Sequence, residues 1–294
     1  MNALNGFFNT LFDWVLLPLE KVGPQTALIV VSGVFGVLAL AIFKFISFQK
    51  GIASVKDRIK GHMIEIRLFQ DDLAVVGSAV AKVLFRNVQY LALNFGPFIP
   101  LAIPFLFVTA QLVTRYAYEP AHVVAADAKL LPGQGTMLEV RLAEGREAEI
   151  AGLQVVLPAG VKALSPLVRS PYEGRAFQEV VATASGVHQL EFVLADGTRE
   201  TKSFVAGDAS LRAMQPRRVS SSQWWNLASP DDCAALWPAE PTFDSGSPFR
   251  SIALRYPDRD LGWLPAGEGG VLIAFVVASM LFGIAALKPL GVTI

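Results

Sequence analysis

Apolar residues in this chain are gathered into long runs, with two very different polar stretches between them. Residues 25–48, "QTALIVVSGVFGVLALAIFKFISF", 95–115, "FGPFIPLAIPFLFVTAQLVTR", and 269–294, which opens "GGVLIAFVVASMLFGIAALK", are each long and apolar enough to be read as a membrane span. About 20 residues at a 1.5 Å rise cover a hydrocarbon core of roughly 30 Å. Between the first two runs the pattern shifts to apolar positions three and four apart. Ile52, Val55, Ile59, Met63 and Ile66 make one stripe; Val76, Val80, Leu84, Val88 and Leu91 make a second. Residues 49–94 are therefore expected to form a helical hairpin, or coiled coil, with "QDDL" at 70–73 as the bend and Asp71 or Asp72 capping the second helix.

Ahead of the first run, Phe7, Phe8, Leu11, Trp14, Val15 and Leu19 recur at helical spacing beside Asn9, Asp13 and Glu20. Residues 1–24 suit an amphipathic helix lying in the headgroup region, or a short buried helix packed on the spans. The stretch has no basic leader and no small-residue cleavage site, so it is expected to stay in the mature protein.

From residue 116 to 268 the period changes to two. "TMLEVRLA", "GLQVVLP", "FQEVVATA" and "HQLEFVLADGTRETKSFVAG" are short, rich in Val, Leu and Phe, and separated by turn residues. "LADGTRE" predicts a hairpin with a type I′ turn at Asp196 and Gly197. Residues 208–250 are irregular, and "SIALRYP" reads as a last strand. The expected fold class is an integral membrane α-helical protein, with three transmembrane helices and a cytoplasmic helical hairpin, plus an extracytoplasmic antiparallel β-sandwich domain. Trp224 and Trp225 read as core or interfacial anchors rather than a ligand cage.

Composition agrees with a membrane protein: of 294 residues 53% are hydrophobic and 17% charged, against about 25% charged in an ordinary soluble domain. Mean hydropathy is +0.45. Charge sets the expected orientation. Residues 44–90 carry eight basic and four acidic side chains, whereas residues 116–268 carry 14 basic and 19 acidic. Short loops rich in Lys and Arg stay in the cytoplasm. The expectation is a protein of the cytoplasmic (inner) membrane with the N-terminus outside, residues 116–268 extracytoplasmic and the C-terminus inside. Lys56, Arg58, Lys60 and Arg67 on the first hairpin helix would face water, anionic lipid or a ribosome.

Catalytic constellations are missing from the sequence. It holds no phosphate loop of the form G-x-x-x-x-G-K-[ST], no H-E-x-x-H, no C-x-x-C and no G-x-S-x-G. His62, His122 and His188 are split between the hairpin and the β region, which excludes one shared metal site; Cys233 is the single cysteine and can make no internal disulfide. Asp57, Glu65, Asp231 and Asp232 read as pairing, capping or turn charges. The reading is not an enzyme, with no cofactor, no metal and no specific nucleic-acid binding; transport, insertion, scaffolding or sensing remain.

Lys44 lies inside the last turns of the first span. Its stem can lie along the helix while the ammonium reaches the headgroups, so it reads as an end anchor or as a residue the protein uses. "LFDWVLLPLEKVGPQTALIVV", "IFKFISFQKGIASVKDRIKGHMIEIRLFQDD" and "LIAFVVASMLFGIAALKPLGV" carry a layout of outer amphipathic helix, span, basic hairpin and further spans. This layout resembles the YidC/Oxa insertase superfamily, including its relatives in the Get pathway and the ER membrane complex. The resemblance covers residues 1–115 and 268–294. It differs in having three spans where bacterial YidC has five, and a β-domain between spans two and three.

The resemblance implies a groove open to the cytoplasm and to lipid, with a basic residue near the cytoplasmic end of the first core helix, where Lys44 falls. A charged residue at the bilayer centre costs about 2.5–3.5 kcal/mol on the gentlest scale, so a hydrophilic groove would lower the barrier to short polar segments. Lys44, Gln111, Thr109 and Ser279 are the candidate lining, and Lys56, Arg58, Lys60 and Arg67 the candidate contact surface of the hairpin. The implied partners are the bilayer, nascent membrane-protein clients and a ribosome or other translocation machinery, with no nucleotide consumed. The alternative is a membrane-anchored structural or sensory protein whose external sandwich binds a partner.

Overall fold

The computed structural model describes residues 2–125, 127–208, 214–226 and 228–291. Among the described residues, six α-helices and nine strands follow in chain order. Helices α1 (Asn2–Glu20), α2 (Pro24–Ile46), α3 (Gln49–Leu68), α4 (Leu73–Phe95) and α5 (Phe98–Tyr116) come first, then the strands, then α6 (Gly267–Leu290). Among the described residues, three helical stretches are long and apolar enough to cross a membrane: Pro24–Ile46, Leu73–Tyr116 and Gly267–Leu290. The second is longer than its sequence signal, because α4 runs into α5 with only Gly96 and Pro97 between them. Proline lacks the N–H that would continue the ladder, so the interruption falls at Pro97.

The chain divides into two compact units, and the division falls inside helices. One unit holds residues 1–29 and 107–275; the other holds 30–106 and 276–294. In the first unit, strands β1 (Thr136–Leu142), β3 (Val161–Ala163), β4 (Val168–Ser170), β5 (Arg175–Ala182), β8 (Arg217–Val219) and β9 (Phe249–Leu254) form a six-stranded sheet in the order β3-β5-β1-β9-β8, with β4 also on β5. Strands β2 (Gln154–Val156), β6 (Gly186–Val193) and β7 (Arg199–Ala206) form a three-stranded sheet in the order β2-β6-β7. All these ladders are antiparallel. Alternation along β1, with Leu138, Val140 and Leu142 buried, gives the period-two signal its cause. Rings bridge the two sheets: Phe192 of β6 meets Phe249 of β9 at 6.5 Å, and Phe204 of β7 stacks on Tyr256 at 6.2 Å.

The β6–β7 turn departs from expectation. Gly197 takes φ +85°, while no other residue type among those described has positive φ, so Asp196 is not in the conformation that type I′ needs. Gly197 N–H donates to Leu194 O at 3.0 Å, which makes a longer loop with a single left-handed glycine. Asp196 Oδ1 accepts from Thr198 N at 2.9 Å, and these bonds hold its carboxyl below the usual range.

Helix α1 has an inverted pattern. Asn9, Asp13 and Glu20 face α5. Gln111 Nε2 donates to Asn9 Oδ1 at 2.8 Å, Arg115 Nη2 donates to Asp13 Oδ1 at 2.6 Å and to Asn9 O at 3.1 Å, and Tyr116 OH donates to Glu20 Oε1 at 3.1 Å. Phe7, Leu11, Trp14 and Val15 point outward and are exposed. Polar groups inside and apolar groups outside is the arrangement of a helix bordered by hydrocarbon, where an unpaired polar group is expensive.

In the second unit α3 and α4 form an antiparallel hairpin. Asp72 caps α4, its side chain accepting from Ala74 N at 3.0 Å and Val75 N at 3.2 Å. Glu65 of α3 accepts from Lys82 of α4 at 3.4 Å and pairs with His62 at 2.9 Å, and the His62 bond holds its carboxyl below the usual range. On α3 the expected stripe turns inward except at Met63, which is exposed; His62 takes its place. On α4 the helix is rotated from expectation. Val76, Ala79, Val83, Arg86 and Tyr90 are the more covered positions, while Val80, Leu84, Val88 and Leu91 stand exposed. Ala79 allows close approach to α3 that a bulky residue would block, so the small side chain rather than the apolar stripe sets the contact face.

Candidate functional site

A concavity of the second unit lies among α2, α5 and α6. Two short motifs position them. Ser32 and Gly36 on α2, and Ser279 and Gly283 on α6, each place small residues four apart. Small residues at this spacing let helix backbones approach closely. Their contact is tight: a Cβ added at Gly36 would collide with the Ser279 carbonyl, and one added at Gly283 would stand 3.5 Å from Gly36 O. Helix α5 is held to α2 by two ring pairs instead. Phe35 meets Phe105 at 6.2 Å, and Phe43 meets Phe98 at 5.7 Å. Aromatic pairs hold their helices further apart than glycines do, so space opens between them.

That space is a cavity of 650 Å³. Ala39 and Leu40 of α2, Leu101 and Ala102 of α5, and Ile284 and Leu287 of α6 line it, between the two phenylalanine pairs. Its rim is open, since Phe98, Met280 and Ile284 are each more than half exposed. The lining is apolar apart from Ser279, and the Ser279 hydroxyl is spent on its own helix, donating to Val276 O at 3.0 Å. A site of this size and character takes an apolar chain or segment and offers no hydrogen bonds to a polar one.

The residues expected along a groove are distributed as follows. Ser279 lines the cavity. Lys44 follows the lining residue Phe43, is exposed, and donates from Nζ to Leu290 O at 2.6 Å, closing the last turn of α6. Thr109 and Gln111 belong to the first unit, buried, with Gln111 bonded to Asn9. Lys56, Arg58, Lys60 and Arg67 are exposed on α3, and Lys60 lies 3.6 Å from Asp57. The cavity-lining phenylalanines and alanines were not singled out from the sequence. The legible signal was the pair of small-residue motifs, which fix where α2 and α6 touch and therefore where they cannot.

The first unit holds buried charges, and their bonds are structural. Lys202 is fully enclosed and burial pushes its ammonium down, but Glu240 at 2.9 Å, Gln215 O at 2.6 Å and Ser203 O at 3.2 Å take its donors. Asp232 pairs with Arg250 at 3.0 Å and accepts from Ser251. Trp224 and Trp225 pack on Phe107 at 6.4 and 6.5 Å. Among the described residues no three His, Cys, Asp or Glu side chains gather where they could hold a metal ion. Comparison of the chain with protein-family models, curated proteins and solved structures gives no match.

Proposed function

We propose that the protein is a membrane chaperone of the insertase type, which receives segments of client membrane proteins among its three spanning helices without nucleotide hydrolysis. The observation that carries this reading is the open, apolar cavity of 650 Å³ between helices long enough to cross a bilayer. A client's apolar segment would lodge against Ala39, Leu101, Ala102 and Ile284. Lys44, at the end of that cavity, would draw the acidic residues that flank such a segment, an attraction that strengthens away from bulk water. The exposed apolar face of α4, with Leu84, Phe85 and Val88, would give the client a first contact. On the charge bias of the loops, the hairpin lies in the cytoplasm and the sheets outside.

The test is photocrosslinking from positions 40, 101 and 284 during synthesis of short-tailed membrane proteins in native vesicles. Crosslinks to nascent chains are expected from all three. Crosslinks confined to lipid or to the protein's own helices would defeat the reading and move the function to the β-domain.

A further inference from the structure

Four lysines and no carboxylate define the charge of the segments that build the cavity's Lys44 end. Across residues 30–56 and 276–294 the charged side chains are Lys44, Lys50, Lys56 and Lys288, and residues 87–106 carry none. Lys44, Lys50 and Lys288 are exposed. Lys44 directly follows Phe43, and Lys288 directly follows Leu287, both lining residues. An ammonium has three donors, and Lys44 uses one on Leu290 O. The remaining donors of Lys44, and Lys288 one residue beyond the lining residue Leu287, have no acidic partner on these segments.

From this we infer that the resting cavity is a phospholipid site: one acyl chain fills the slot between α2, α5 and α6, and a net-negative headgroup sits at Lys44 and Lys288. Three properties favour this occupant. The cavity has no free polar group on its wall, so water gains nothing by entering. It is elongated, with the two phenylalanine pairs set eight residues apart on α2, about 12 Å at 1.5 Å per residue. It also opens sideways at Phe98, Met280 and Ile284. A chain from the surrounding leaflet gives up no apolar environment on entry and recovers the dispersion contacts that an empty slot forfeits. The headgroup is chosen by charge, since lysines near a membrane surface favour anionic lipid.

The inference concerns the protein without a client, so it stands or falls separately from the chaperone reading. The full-length protein is reconstituted in nanodiscs of equal phosphatidylglycerol and phosphatidylcholine, extracted, and weighed by native mass spectrometry. One retained phosphatidylglycerol per chain is expected. Ala102→Phe, which fills the slot, lowers the retained fraction about tenfold. Lys44→Gln and Lys288→Gln each reduce the preference for phosphatidylglycerol about fivefold. A second measurement needs no variant: phosphatidylglycerol carrying a photoactivatable group in mid-chain labels, at residue level, the wild-type lining positions such as Ala39, Leu40, Leu101 and Leu287. No retained lipid, equal retention by a folded Ala102→Phe protein, no headgroup preference, or labelling confined to outward residues such as Val34, Leu38 and Ile42 would each overturn the site.

Discussion

The Lys44 ammonium donates to the Leu290 carbonyl at 2.6 Å, so a charge on α2 closes the last turn of α6. Helix ends leave carbonyls without intrahelical partners, and a cation there also meets the negative end of the helix dipole. At an exposed site the gain is about 0.3–1 kcal/mol, a factor of roughly two to five in local opening. Lys44→Ala should therefore speed exchange of the amides of Ala286, Leu287, Lys288 and Leu290 by that factor, while Lys44→Arg should leave them near the wild-type rate. Hydrogen exchange read by mass spectrometry decides it; unchanged rates in Lys44→Ala would mean that the bond contributes nothing.

Gly36 and Gly33 should differ in their tolerance of a methyl group. At Gly36 the obstruction is the Ser279 backbone, which cannot rotate away. At Gly33 it is the Phe282 ring, 2.7 Å from the added atom, which can. Gly36→Ala should cost about 1–3 kcal/mol, the usual penalty of overpacking, with Gly33→Ala clearly milder. Thermal unfolding of both variants in detergent provides the comparison, and equal midpoints would remove Gly36 from the helix crossing.

Arg115 has a side chain only 1% exposed, and Asp13 neutralises it. Removing one member of a buried pair leaves an uncompensated charge, at a cost of about 3–5 kcal/mol. Asp13→Ala should reach that range, whereas the joint change Asp13→Leu with Arg115→Met should recover most of it. A double-mutant cycle on unfolding midpoints measures the coupling; additive losses would show that the two side chains act independently.

Acid should loosen the β6–β7 turn first. The Asp196 carboxyl is held below its ordinary value by Thr198, with Arg146 at 3.1 Å adding to the effect. A depressed carboxyl contributes stability above its unfolded pKa and loses it as pH falls through the folded one. Protection of the Gly197 and Thr198 amides, corrected for intrinsic exchange, should thus decline below about pH 4. Asp196→Asn should show no such decline.

The outward face of α1 should meet lipid. Trp14 is 76% exposed on the same side as Phe7 and Leu11. Brominated lipids should quench a component of tryptophan fluorescence that disappears in Trp14→Phe. Identical quenching in the variant would place that face in water.

Much of this was legible in the sequence, for identifiable reasons. Long apolar runs and the period-two stretch are strong local signals, so the three long apolar helices and the sheets followed from the pattern along the chain. The hairpin bend was legible because Asp72 at a helix start has a local purpose. The face of α4 was misread because apolar residues were assumed to turn inward. Where lipid or another apolar medium borders a helix, Asn9, Asp13 and Ala79 take the inside. The cavity was illegible because it depends on what Phe43 and Phe105 fail to fill, and a void has no letter in the sequence.

The boundary between the two units has a practical consequence for anyone building chimeras of this protein. Met214 N donates to Thr114 O, Arg259 Nη1 to Arg115 O, and Glu119 N to Pro257 O, so the end of α5 is knitted to the strands' connecting segments. Excising residues 120–262 as a cassette would remove Met214, Pro257 and Arg259, and with them those three bonds to the end of α5. Loss of function after such a deletion would report a damaged helix end as readily as a missing binding partner. A graft that respects the fold crosses over at 29/30, 106/107 and 275/276, carrying the helix ends with the sheets.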